Sequence, residues 1–135
     1  MQAIRVRFAG PDEGPVIYSI LKSQHVTLAD VADWAQDIGP YWLLVETDRP
    51  LGCIMVNPGR PVGRLEWLTV RPDVPKKQYA VACRDLCYAG FEVLAKGGSQ
   101  FMACYIADHD QSWKQITERR GCMPVEHGTL MMKRL

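Results

Sequence analysis

Two adjacent lysines, Lys76 and Lys77, follow Arg71-Pro72-Asp73-Val74-Pro75 where a β-type run gives way to helical periodicity. A proline-bounded loop opening into a helix leaves the first-turn backbone N–H groups without intrahelical partners. The positive end of the helix dipole adds to the lysine charge, so this spot could hold an anion. The run before it, Gly63-Arg64-Leu65-Glu66-Trp67-Leu68-Thr69-Val70, reads as the strand that delivers the loop. His109 follows a second dense apolar run, on the side where parallel sheets place their ligands, and is a candidate for substrate contact or proton transfer. His127 falls in a turn, where it is either a solvated residue or one reaching an acceptor cleft, and His25 adds a further option. Trp34, Trp42 and Trp67 could line a pocket, although aromatics at these spacings also build ordinary core.

The totals exclude several classes. The chain has 135 residues, 47% hydrophobic and 23% charged, which suits one folded domain over 1–135 with a core between two layers. A formal net charge of +1 gives no field that would make nucleic acid or an anionic membrane the main partner. No apolar run approaches the roughly 18 residues of a membrane span, and Met1 to Phe8 alternates apolar and basic residues as a strand does, unlike a signal peptide. Five cysteines make an odd count without a C-x-x-C pair, so neither a disulfide framework nor a structural zinc site is expected. Cys83 and Cys87 could share a helix face, but free cysteines behave as small buried hydrophobes. No metal is expected, and the compartment is a reducing cytoplasm.

The elements that must position these residues can be read in order. Ala3 to Phe8 is a strand ended by Ala9-Gly10-Pro11. Val16, Ile17, Ile20 and Leu21 then give one helical face, with Pro15 tolerated in the first turn. Thr27 and Asp30 start a second, short helix through Leu28, Val31 and Trp34 or Ala35, stopped by Gly39-Pro40. Tyr41 to Glu46 and Leu51 to Val56 form a hairpin about Thr47-Asp48-Arg49-Pro50, and a second reversal at Asn57 to Pro61 sends Val62 to Val70 back antiparallel. Tyr79, Ala82, Cys83, Leu86, Gly90, Val93 and Leu94 mark a long helix ended by Gly97-Gly98. Phe101 to Ala107 reads as a strand buried on both faces, and the crossover helix makes it parallel to Val62–Val70. Asp110 to Arg120 is a further helix capped by Gly121, and Cys122–Val125 with Thr129–Leu135 close the chain as a terminal hairpin. The expected fold is α/β: a mixed, mostly antiparallel sheet of six to seven strands flanked by helices. Exposed Met131 and Met132 or a sheet edge could support a homodimer.

That order of elements, β-α-α-β-β-β-α-β-α-β-β, resembles the Gcn5-related N-acetyltransferases (GNAT) over nearly the whole chain. The family's fourth strand ends in Val-x-Pro before an Arg-Gly-x-Gly-x-Gly or Ala loop, and Val70-Arg71-Pro72 matches its first part. An ungapped continuation places Pro75 where the family has Arg or Gln, Lys76 and Gln78 on the first two glycines, and Ala80 on the last. Counting back from Gly121-Cys122 puts Asp110 at a family Asn position and Thr117 at a family Tyr position. Glu66 stands four residues before Val70, where many members carry an acidic base.

The resemblance implies acetyl-coenzyme A as cosubstrate and a small-molecule or peptide amine as acceptor. Acetyl transfer needs a base for the ammonium proton, stabilisation of the thioester oxygen and an acid for the leaving thiolate. Glu66 is the candidate base, since mid-strand placement beside Leu65 and Trp67 would partly desolvate it. The alternative is a strand carboxylate paired with Arg64. Backbone N–H groups of Leu68, Thr69 or Val70 could polarise the carbonyl if a splay or bulge opens that edge. Val74, Lys76, Lys77, Gln78, Tyr79 and Ala80 form the phosphate-holding stretch, with Asp110 as a further cofactor contact. Lysine charge there substitutes for glycine backbone. Thr117 takes the acid's place, although an aliphatic hydroxyl is a weaker acid than a phenol, so Tyr105, Tyr79 or water are alternatives. A second class of function fits the missing glycines: a GNAT-fold binding module without turnover, for a protein or an acyl-coenzyme A, such as an accessory protein of a phage or mobile element.

Overall fold

A computed structural model of the chain describes residues 2–24, 41–106, 110–126, 128 and 131. These fall into two compact units, Met1–Cys104 and Tyr105–Leu135. The first contains β1 (Arg5–Phe8), α1 (Gly14–Gln24), β2 (Trp42–Glu46), β3 (Pro50–Asn57), β4 (Val62–Val70), α2 (Lys76–Lys96) and β5 (Phe101–Ala103), and the second contains α3 (Gln111–Glu118).

The sheet runs β1-β2-β3-β4-β5, with the first three pairings antiparallel and β4–β5 parallel. The parallel pair follows from α2, whose crossover returns the chain to the starting end of β4. β2 is buried along its whole length because it carries a helix on each face. Trp42 and Leu44 join Cys53 and the α1 residues Ile17, Ile20 and Leu21 in one cluster. On the opposite face α2 lies close to β4: a Cβ on Gly90 would stand 2.7 Å from Leu65 Cδ2, and one on Gly63 would stand 2.7 Å from Leu94 Cδ2. Those two missing side chains let α2 approach the strand that delivers its own N-terminus.

Among the described residues, one charged group enters this core. Glu46, 6% exposed, accepts from Arg5 Nε at 2.7 Å and Arg7 Nε at 3.0 Å. Arg7 also holds Glu13 through two guanidinium nitrogens, at 2.5 and 2.8 Å, and Gly10 N donates to Glu13 at 2.8 Å. The Arg7 bond, then the Gly10 N–H, holds the Glu13 carboxyl down to about 2. Arg7 also depresses Glu46, against the opposing effect of burial.

Two expectations change. The described residues hold five strands where six to seven were expected: Cys122–Glu126 forms no ladder, as Pro124 lacks a donor, and most of 129–135 lies outside them. β5 stops at Ala103, short of Ala107, and is not buried on both faces; Phe101 is 67% exposed. An apolar run without alternation suggested a doubly covered strand, but among the described residues β5 is the last strand of this sheet and pairs with Val62–Arg64 alone. The helix expected from Thr27 to Trp34 lies outside the described residues, as do His25, His109 and His127.

Candidate active site

β4 is interrupted near its middle. Met55 faces Glu66 and Cys53 faces Thr69, so Trp67 and Leu68 together stand opposite Ile54. This is a β-bulge, and Trp67 adopts φ 60 to make it. A left-handed conformation at a non-glycine residue costs on the order of 1 kcal/mol. It is offset where Trp67 packs against the cluster beneath α1 and where Thr69 Oγ1 donates to Trp67 O at 3.0 Å.

The bulge lies just past the point where β4 parts from β5. Their ladder covers Val62, Gly63 and Arg64 against Phe101, Met102 and Ala103, and goes no further. Arg71 N donates to Leu51 O at 2.8 Å, which marks these two as a bonded pair of the β3–β4 ladder. By the alternation of antiparallel pairs, the N–H and C=O of the preceding Val70 point away from β3, along the edge that β5 has left. The Val70 carbonyl accepts from Gln24 Nε2 at 3.0 Å. Leu68 and Val70 are both buried.

The loop after Val70 is anchored rather than slack. Val74 is buried, Val74 N donates to Arg71 O at 3.3 Å, and Arg49 pairs with Asp73 at 3.0 Å. Arg71 donates from Nε to Pro50 O at 3.1 Å and from Nη2 to Ser19 Oγ at 3.3 Å. Pro75 is the N-cap of α2, with φ −55 and ψ 143, and no side chain caps the helix. The first intrahelical bond there joins Tyr79 N to Pro75 O at 2.8 Å. The N–H groups of Lys76, Lys77 and Gln78 therefore project from the helix start. Lys76, Lys77 and Ala80 are exposed, and Gln78 and Tyr79 are half-buried. This donor set fits a pyrophosphate: uncapped backbone N–H groups with two ammonium groups beside them.

Glu66 lies on β4 immediately before the bulge, its side chain 16% exposed, and its Oε1 accepts from Arg64 Nε at 2.5 Å. Arg64 and Glu66 are two apart on one strand, so they share a face.

In the second unit, Asp110 is the N-cap of α3, its carboxylate accepting from Trp113 N at 3.2 Å. Thr117 is buried, and its hydroxyl is turned back on its own helix, 3.1 Å from Trp113 O and 2.9 Å from Lys114 O. Gly121, at φ 88, ends that helix with Cys122 N bonded to Thr117 O at 3.1 Å. Both side chains thus have work within α3. Tyr105 is half-buried.

The structure brings Glu66, Leu68, Val70, Val74 and the α2 N-terminus together along one continuous stretch of the first unit. Sequence reasoning missed the Gln24 contact and the Arg7–Glu13–Glu46 cluster. The cluster had a signal in the lone acid of Trp42-Leu43-Leu44-Val45-Glu46 opposite the alternating Arg5 and Arg7. Gln24 had none. Among the described residues no group of three or more His, Cys, Asp or Glu could hold a metal ion, and no helix is long and apolar enough to cross a membrane.

No family model and no curated protein matches the sequence. Solved structures do match. An aminoglycoside N-acetyltransferase AAC(6')-Iy in complex with coenzyme A is similar at TM-score 0.78 and 14% identity, over 100% of this chain and 97% of that one. A diaminobutyrate acetyltransferase from Paenibacillus lautus, in complex with L-2,4-diaminobutyric acid and coenzyme A, matches at TM-score 0.73 and 8% identity, over 89% of this chain and 75% of that one. A transcriptional regulator from Bacillus halodurans matches at TM-score 0.77 and 8% identity, over 97% of this chain and 100% of that one. At these identities the likeness is one of fold, and the chain has the α/β fold of the Gcn5-related N-acetyltransferases.

Proposed function

We propose that the chain acts as a single domain in the cytoplasm, an acetyl-coenzyme A-dependent N-acetyltransferase for a small amine or a peptide amine. The observation that carries this reading is the bulge at Trp67 and Leu68, set where β4 leaves β5 and followed directly by a helix start without a side-chain cap. An open strand edge takes up an extended amide ligand, and an uncapped helix N-terminus takes up its phosphates. Acetyl-coenzyme A, when bound, supplies a thioester whose carbonyl carbon the amine attacks as the carbon–sulfur bond breaks. Glu66 takes the ammonium proton, and the thiolate is protonated from Tyr79 or solvent. The Lys76 and Lys77 ammonium groups and the first-turn N–H groups hold the pyrophosphate. The acceptor belongs to the amine class seen with the diaminobutyrate enzyme.

A second reading is a binding module of the same fold. It draws support from the Arg64 guanidinium seated on Glu66 and from the inward hydroxyl of Thr117. The fold also serves a protein described as a transcriptional regulator.

Calorimetric titration with acetyl-coenzyme A, followed by a thiol-release assay over a panel of amines, separates the two. Binding with release that falls about a hundredfold in Glu66→Gln supports the enzyme, since general-base catalysis is worth roughly 10²–10⁴ in rate. Binding without release on any amine supports the module. Absence of heat would sink both as acyl-coenzyme A readings, and equal rates in Glu66→Gln would remove Glu66 as base.

A further inference from the structure

Gln24 has no part in the chemistry above, yet it touches the edge on which that chemistry depends. It is the last residue of α1, and its carboxamide donates to the carbonyl of Val70 across 46 positions of sequence. A second bond, from Arg71 Nη2 to Ser19 Oγ, ties the middle of α1 to the residue after Val70. The end of α1 is thereby held against the end of β4, so the Gln24 contact is part of a paired docking rather than a stray surface bond. The Val70 carbonyl lies on the β4 edge that β5 has left, and the donor on it is a primary amide. A strand-like ligand would bring the same kind of donor, an amide N–H, on a secondary amide.

We infer that Gln24 is an internal competitor for the cofactor edge: its carboxamide occupies the Val70 carbonyl and must yield it to an amide N–H of the coenzyme A arm. The inference rests on the acetyl-coenzyme A reading and deepens it by assigning a residue outside the loop that sets affinity for the amide-bearing arm. The two parts of the ligand separate in this account. The phosphates meet Lys76, Lys77 and the α2 N-terminus, which Gln24 does not touch. The amide arm meets Val70, which it does.

The test uses two ligands and two variants. Gln24→Ala removes the side chain, and Gln24→Met keeps its length without the donor. Acetyl-coenzyme A should bind both variants about two- to tenfold more tightly than the parent, the fold-change one net hydrogen bond is worth. Adenosine 3′,5′-bisphosphate, which carries phosphates and no amide arm, should bind parent and variants alike. Acetyl-coenzyme A affinity that is unchanged or weaker in both variants overturns the inference while leaving the proposed function standing. Equal tightening toward the bisphosphate also overturns it, because the effect would then lie outside the amide arm. A parent that binds neither ligand overturns the inference together with the reading beneath it.

Discussion

Replacing Pro75 by aspartate should make the free protein more stable and its cofactor binding weaker, two effects of opposite sign from one carboxylate. Pro75 sits at the N-cap of α2 with φ −55 and ψ 143, extended values open to any residue, and contributes no side-chain cap. An aspartate there can accept from the N–H of Lys77 or Gln78, which is worth about 1 kcal/mol. Its charge near the helix start adds about 0.3–1 kcal/mol. Losing the proline's restriction of the unfolded chain costs about 0.4–1 kcal/mol. The net gain is about 0.5–1.5 kcal/mol, a rise in Tm of roughly 2–5 °C for a chain of this size. The same carboxylate removes donors from the phosphate site and repels the anion. At about 4 Å two unit charges interact by about 1 kcal/mol in bulk water and about 4 kcal/mol near a protein surface, so the affinity for acetyl-coenzyme A should fall at least about fivefold. Thermal unfolding and calorimetry on the same preparation check both signs, with Pro75→Ala as the control that brings neither cap nor charge. A higher Tm with unchanged affinity would place the phosphates elsewhere. A Tm below that of Pro75→Ala would mean that the first-turn N–H groups cannot take a side-chain cap, and the site loses its donors.

Three further outcomes follow from the core. The Glu13 carboxyl is held from its ordinary value of 4.5 down to about 2, chiefly by Arg7. Its contribution is therefore full above about pH 4.5 and is lost as pH falls toward 2. Glu13→Gln should be less stable than the parent at pH 7 by on the order of 1 kcal/mol, as Arg7 is over a third exposed. The two melting curves should converge toward pH 2, and a gap that is constant with pH would refute the pairing. Gly90→Val places a branched side chain where even a Cβ stands 2.7 and 2.9 Å from the Leu65 methyl carbons. It should cost about 2–3 kcal/mol in urea unfolding, and a change within about 0.5 kcal/mol, the range of neutral surface substitutions, would contradict the close approach of α2 to β4. Cys53, Cys83 and Cys87 are buried, whereas Cys104 and Cys122 are partly exposed, and burial pushes the Cys53 thiol well up. Native alkylation read by peptide mass should label Cys104 and Cys122 first; early label at Cys53 would deny its burial.

Local pattern was enough for much of the scaffold. The strand Val62–Val70 and the helix beginning at Lys76 were legible because both depend on neighbours in sequence: β-branched and aromatic residues, prolines at the loop, and a three- and four-residue apolar step. The same reading of Phe101–Ala107 overreached, since a run of apolar residues reports burial without saying where a sheet ends.

What the sequence by itself determined is the order of the described elements from β1 to α3 and the stretch on which a cofactor site could form, since periodicity, turn chemistry and helix-start chemistry act over a few residues. Only the tertiary structure decided how that stretch is used. The bulge exists because Trp67 and Leu68 share one partner, Ile54, contributed by another strand. The Val70 carbonyl accepts from Gln24, 46 residues away, and the same folding that exposes the α2 N-terminus seats Arg64 on Glu66. Each of these is a competition among groups distant in sequence or set by strand register. Their outcome appears only once the sheet has assembled.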